Sequence, residues 1–135
     1  MRAHVFALCL SLLPMMALAE EPRNPAIETT IQSQLNAFIA DDFATAFTFA
    51  SPNIKGIFGT AENFGAMVKN GYPMVYRPAE VEMGELREVA GNLWQRVRVV
   101  DQAGKAWYLD YMMIETAEGW QINAVQLLPA PDIGV

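Results

Sequence analysis

A carboxylate, a guanidinium and a carboxamide brought together can anchor a polar ligand, and a carboxylate beside a phenol can move protons. Arg96, Asp110, Gln126 and Tyr108 offer those groups within one stretch of short, turn-linked segments. In a small isomerase or dehydratase, Asp110 would serve as base and Tyr108 as proton donor, provided burial tunes both groups. The same residues also have a structural use. Opposite charges facing each other across two exposed strands contribute about 0.2–1 kcal/mol. Catalysis needs Asp110 in a closed concave pocket, whereas binding or structure needs it as a fixed carboxylate neutralised by Arg96.

Other chemistries are narrowly bounded. The sequence has one His and one Cys, His4 and Cys9, both in an apolar N-terminal stretch. From Glu20 onward there is neither, which excludes a Ser-His-Asp triad, a thiol nucleophile, a disulfide, c-type haem attachment and a Cys/His zinc site. Asp41-Asp42 makes a poor hard-cation site, because adjacent side chains diverge and Asp42 suits a helix cap. No metal and no cofactor is expected. Ser51, Thr60 and Lys69 have no activating partner nearby in sequence. Arg77, between Tyr76 and Pro78, is expected to pair with Glu80 or Glu82. Met112 and Met113 should point to opposite faces of a strand. Trp94, Trp107, Trp120, Tyr108 and Tyr111 suit strand packing as well as pocket lining.

Residues 3–17 form the apolar run, with Arg2 ahead of it and Ala17-Leu18-Ala19 behind. That is the pattern of a secretory signal, residues 1–19, cleaved before Glu20. The run is shorter than the roughly 20 residues a spanning helix needs, and Pro14 interrupts it. A periplasmic or secreted protein is expected, soluble and off the membrane once the signal is gone. The formal charge is −6, from 9 Lys+Arg against 15 Asp+Glu, and no basic run offsets it. Nucleic acid is therefore not an expected partner.

The elements that must position the polar residues follow from periodicity. Residues 20–135 are evenly apolar, without repeats or linkers, which argues for a single domain. Asn24-Pro25 opens a helix with Ile27, Ile31, Leu35, Phe38 and Ile39 at helical spacing, running to about Ala40. Asp42 caps a second, short helix carrying Phe43, Ala46 and Phe47. Ser51-Pro52 reads as a stop, and Thr60 opens a third helix ending at Gly71. The period then changes to four strands near 80–90, 93–100, 106–115 and 120–128, joined by turns too short for anything but antiparallel hairpins. This is an α+β plan, with three N-terminal helices packed on a curved antiparallel sheet of about four strands.

A three-residue loop ending in a left-handed glycine pairs Asp101 with Lys105. Val99 then faces Trp107, Val97 faces Leu109, and Arg96 faces Asp110. The same loop type at Ala117-Glu118-Gly119 pairs Thr116 with Trp120 and sets Asp110 opposite Gln126. Val97, Val99, Trp107, Leu109, Tyr111, Val125 and Leu127 share the helix-packed face. Trp94, Arg96, Arg98, Tyr108, Asp110, Met112, Ile114, Ile122, Ala124 and Gln126 share the other. That second face is too apolar for simple solvation and predicts a homodimer.

Several motifs resemble a known family: Phe49-Ala-Ser-Pro52, Phe64-Gly-Ala-Met-Val68, Gly71-Tyr-Pro-Met-Val-Tyr-Arg-Pro78, Trp94-Gln-Arg-Val97, Leu109-Asp-Tyr111 and Gly119-Trp-Gln-Ile-Asn123. They are similar to the bacterial domain-of-unknown-function family 4864, and the element order resembles the nuclear-transport-factor-2-like (NTF2-like, cystatin-like cone) superfamily. The resemblance implies the cone fold and no activity. Isomerases of the wider superfamily use Asp, His or Tyr in the cone, and this chain has no His after its signal. The expectation is an exported domain that binds a small molecule or a protein partner without catalysis. The alternatives are the acid/base enzyme built on Asp110 and a structural subunit of an envelope complex.

Overall fold

The computed structural model describes residues 19–130. His4, Cys9 and the expected signal up to Leu18 lie outside the described residues. The chain begins with β1 (Ala19–Glu21), continues through α1 (Pro25–Ile39), α2 (Phe43–Thr48), α3 (Pro52–Phe58), α4 (Ala61–Gly71) and α5 (Pro73–Tyr76), and ends in β2 (Pro78–Val89), β3 (Asn92–Asp101), β4 (Ala106–Thr116) and β5 (Gly119–Leu128). The class is α+β, with five helices and an open five-stranded antiparallel sheet in the order β1-β2-β3-β4-β5. Three helices and about four strands were expected, so two short helices and one edge strand are corrections. Among the described residues, no helix is long and apolar enough to cross a membrane.

Local chemistry explains the helices. Asn24 Oδ1 accepts from the N–H groups of Ala26 (3.0 Å) and Ile27 (3.3 Å), and Pro25 fills the first helical position, where no N–H is needed. Asp42 caps α2 through the Thr45 N–H, and Thr60 caps α4 through the Asn63 N–H. Ser51-Pro52 is a start and not a stop. Ser51 Oγ accepts from the Ile54 N–H and Pro52 opens α3, the same device as Asn24-Pro25. The edge strand β1 sets Glu20 opposite Arg87 and Glu21 opposite Leu86.

The first hairpin register is the expected one. Asp101 donates its N–H to Lys105 O at 2.9 Å, Gly104 sits at φ +86°, and Arg96 faces Asp110. At the second hairpin Thr116 faces Gly119 and not Trp120, a loop one residue tighter than expected. A bulge at Asn123, opposite the Met112/Met113 step, then takes up the difference. Beyond it Asp110 faces Gln126, as expected, with Tyr111 opposite Val125 and Leu109 opposite Leu127.

That bulge corrects the face assignment. An extra residue reverses the alternation, so Ile122 turns into the helix side and is buried. Its backbone carries the sheet onto the helices, donating to Phe49 O (2.8 Å) and accepting from the Ser51 N–H (2.9 Å). A second bulge in β2, between Met83 and Leu86, sends Leu86 inward and Arg87 outward. Gly84 sits there because a Cβ would stand 3.3 Å from Arg96 O.

One core joins the layers. Ile27, Ile31, Leu35 and Phe38 of α1 are fully buried together with Val97, Val99, Leu109 and Tyr111 of the sheet. Each of the Ile, Leu, Val and Phe side chains contributes about 1.5–3 kcal/mol on leaving water. Three residues expected on this face are not fully buried: Val125 and Trp107, which pack partly buried against the core, and Leu127. Trp107 is half-buried at the hairpin end, its indole donating to Asp101 Oδ2 at 2.8 Å. Leu127 is 44% exposed near the end of β5.

Candidate functional site

The register lines up Arg96, Asp110 and Gln126 across β3, β4 and β5, yet their side chains do not form one cluster. Arg96 turns to Glu85 at 2.7 Å, in a pair whose two side chains are each more than a third exposed. Asp110 is gripped instead by Arg87 of β2. Arg87 Nη1 donates to Oδ1 at 3.0 Å and Nη2 to Oδ2 at 2.5 Å, a two-pronged ion pair reaching over β3. Arg87 is 8% exposed and Asp110 5%. The bond to Asp110 raises the Arg87 pKa, against burial, which lowers it. Tyr108 is half-buried on the same face and Gln126 is exposed.

The expected clamp on Asp110 is therefore corrected: it is Arg87, not Arg96. The reason is the β2 bulge, which shifts Arg87 onto this face and puts Glu85 within reach of Arg96. The sequence signal was Gly84 inside an otherwise regular strand, which marks a bulge but does not say which way the following residues turn.

Arg77 is corrected too. It meets neither Glu80 nor Glu82. Its Nη1 donates to Phe38 O at 2.7 Å, closing the C-terminal end of α1, and its Nη2 to Asp41 Oδ2 at 2.9 Å. Tyr76 also donates to Asp41, and that bond is the main reason the Asp41 carboxyl sits below the ordinary carboxylate range. Asp42 caps α2, so neither aspartate is poised for a cation. Among the described residues, no group of three or more His, Cys, Asp or Glu is gathered for a metal. Met113 is buried in the core and Met112 half-buried on the far face, as expected of strand neighbours.

A concave site lies on the opposite, helix-packed side. Between the helices and the sheet is a cavity of about 280 Å³. Gln34 and Phe38 of α1 line it, as do Ile54 and Phe58 of α3 and Phe64, Met67 and Val68 of α4. Tyr111 of β4 and Ile122, Asn123, Ala124 and Val125 of β5 close it from the sheet. None of the lining residues carries a carboxylate, ammonium or guanidinium. The aromatic wall is built by contact: the Phe64 ring lies 5.3 Å from Phe47, 5.8 Å from Phe38 and 5.8 Å from Phe58.

The polar atoms of the cavity are few. Gln34 Nε2 donates to Ala46 O at 3.1 Å. Ser51 Oγ donates to Asn123 Oδ1 at 2.7 Å while accepting from the Ile54 N–H. Tyr72 directs its hydroxyl at Val125 O, 3.4 Å away. Tyr111 is fully buried and its hydroxyl has no hydrogen-bond partner among the described residues. Burial, with the neighbouring Tyr72 adding to it, pushes the Tyr111 phenol well above its ordinary pKa. Sequence patterning put Tyr111 on the helix-packed face, but the cavity itself was not legible. It depends on the Asn123 bulge and on α3, which was missed.

The family model described as Domain of unknown function (DUF4864) matches residues 20–135, most of the chain. A beta-galactosidase of Erwinia tasmaniensis (strain DSM 17950 / CFBP 7177 / CIP 109463 / NCPPB 4357 / Et1/99) is 36% identical over 76 residues. That match covers 53% of this chain and 7% of the galactosidase.

Proposed function

The chain belongs to the DUF4864 family, and from that premise we propose that it binds a small, mainly apolar molecule in the cavity between its helices and its sheet. The observation that carries the proposal is the cavity itself, about 280 Å³ and walled by aromatic and aliphatic side chains. An apolar cavity of about 150 Å³ takes benzene, so this one has room for two fused rings. Non-catalytic binding is favoured over acid/base chemistry because both Asp110 carboxylate oxygens are taken by Arg87 on the other side of the sheet. A shared stretch spanning 7% of a galactosidase brings none of that enzyme's activity to this chain.

The same proposal has three further parts. We assign the fold to the NTF2-like superfamily, on the strength of helices packed against one face of a sequential antiparallel sheet with a cavity between them. Export with cleavage before Glu20 rests on the Ala17-Leu18-Ala19 pattern, and an intact mass that still includes Met1 would refute it. Homodimerisation rests on the far sheet face, where Trp94, Tyr108, Met112 and Ile114 stand half-buried. A monomer by light scattering at micromolar concentration would refute that part.

The test of ligand binding is a titration with naphthalene followed by methyl NMR. Saturable shifts are expected at Ile54, Val68, Ile122 and Val125, with a rise in melting temperature that grows with ligand concentration. Saturation without shifts at those methyls, or no saturation up to the solubility limit, would refute the proposal.

A further inference from the structure

A second concavity, an open groove of about 580 Å³, lies where the tip of the β4–β5 hairpin meets the start of α1 and the end of α2. It shares no lining residue with the cavity between helices and sheet. We propose that this groove binds a neutral saccharide, with a pyranose ring against Trp120 and Phe49 and its hydroxyls held by Gln121, Glu118 and Thr29. The volume falls in the range of about 300–1,000 Å³ that takes small molecules.

Gln121 carries the argument. It is 4% exposed and lines the groove. Its Nε2 donates to Thr48 O at 3.2 Å and is directed at Glu118 Oε2, 3.5 Å away, which fixes the orientation of the amide. The carbonyl oxygen accepts no hydrogen bond from the described residues, yet it is not sealed from solvent. A nearly buried acceptor left unspent calls for a donor brought from outside. The other polar groups of the lining are mixed in kind. The Trp120 indole N–H donates, the Glu118 carboxylate accepts and the Thr29 hydroxyl does both. Donors and acceptors set beside aromatic rings complement a sugar, whose hydroxyls both donate and accept and whose ring C–H face is apolar.

Charge selects a neutral ligand. The lining holds the Glu118 carboxylate and no ammonium or guanidinium among the described residues, which disfavours an anion. Lys55 Nζ donates to the same Thr48 O at 3.3 Å, so a cationic ligand would meet a resident positive charge beside Gln121. The groove is also tied together without a ligand. Thr30 Oγ1 joins α1 to Trp120 O at 3.3 Å, and the Ile122 N–H joins β5 to Phe49 O at 2.8 Å. Little ordering is then left to be done on binding.

The test titrates the protein with the methyl pyranosides of glucose, galactose, mannose and N-acetylglucosamine, and with mannitol and butylammonium, followed by amide and indole NMR. At least one glycoside should give saturable shifts at the Trp120 indole and the Gln121 side-chain amide. Mannitol, which has the hydroxyls but no ring, should bind more weakly than that glycoside. Glu118→Gln and Trp120→Phe should each weaken the glycoside about three- to tenfold, the weight of one hydrogen bond. Both should leave naphthalene shifts at Val68 and Ile122 unchanged, which separates this groove from the cavity. Glu118 lies in an exposed turn, so Glu118→Gln keeps the test decisive even where Trp120→Phe lowers the melting temperature. No saturation by any glycoside up to ~0.1 M would overturn the proposal. So would glycoside shifts confined to the cavity, affinity unchanged in both variants, or mannitol binding as tightly as the glycosides. Butylammonium binding at the same signals more tightly than every glycoside would assign the groove to cations and overturn it too.

Discussion

Arg87→Ala should destabilise the domain by about 3–5 kcal/mol, because it strands the Asp110 carboxylate in a site where that residue is 5% exposed. The magnitude can be built from the geometry. Two hydrogen bonds join charged groups, at 3.0 and 2.5 Å, and bonds of that kind contribute about 1.5–3 kcal/mol each. Arg96→Ala should cost no more than about 1 kcal/mol, since its pair with Glu85 is more than a third exposed on both sides and screened by solvent. Urea unfolding followed by tryptophan fluorescence measures both. At the urea sensitivity usual for small domains, Arg87→Ala should lower the midpoint by more than about 1 M, and Arg96→Ala by much less. A paired replacement, Arg87→Met with Asp110→Leu, should recover most of the loss, because no buried charge is left without its partner. A larger loss for Arg96→Ala than for Arg87→Ala, or small equal losses for both, would refute the assignment of Arg87 as the clamp.

Two further outcomes bear on the core and on the hairpin. Leu109 is fully buried, so Leu109→Ala should cost about 2–5 kcal/mol by the same urea measurement; a loss under about 0.5 kcal/mol would mean the sheet faces are inverted. The Asp101 carboxyl is held below its ordinary range chiefly by the Trp107 indole N–H, with the Lys105 and Ala103 backbone N–H groups helping. Its folded pKa therefore lies below the unfolded value of about 3.9, so its contribution is complete above that value and is lost as pH falls through the folded one. The Trp107 indole proton, followed by NMR on acidification, should shift with a midpoint below about 3.9, and a midpoint at or above that value would count against the contact.

What could be read directly from the residues was whatever is decided within a few positions along the chain. Asn24-Pro25, Asp42 and Thr60 announce helices because a cap is satisfied by an N–H two or three residues away. The Gln102-Ala103-Gly104 turn sets its own hairpin register, so the facing of Arg96 and Asp110 followed from three loop residues. Ser51-Pro52 carries the same local signal, a cap closed on an N–H three residues away with proline at the first helical position. Tertiary structure alone decided the bulges and everything downstream of them. The extra residue at Asn123 is placed by the bridge between Ile122 and the segment leading into α3, a contact some 70 residues long in sequence. That bridge turned Ile122 inward and helped to shape the cavity around Tyr111. The bulge at Gly84 likewise gave Asp110 to Arg87 instead of to its register partner Arg96. In both places one inserted residue reverses a two-residue alternation, and where it inserts is set by packing between elements far apart in sequence, which periodicity along a single strand does not encode.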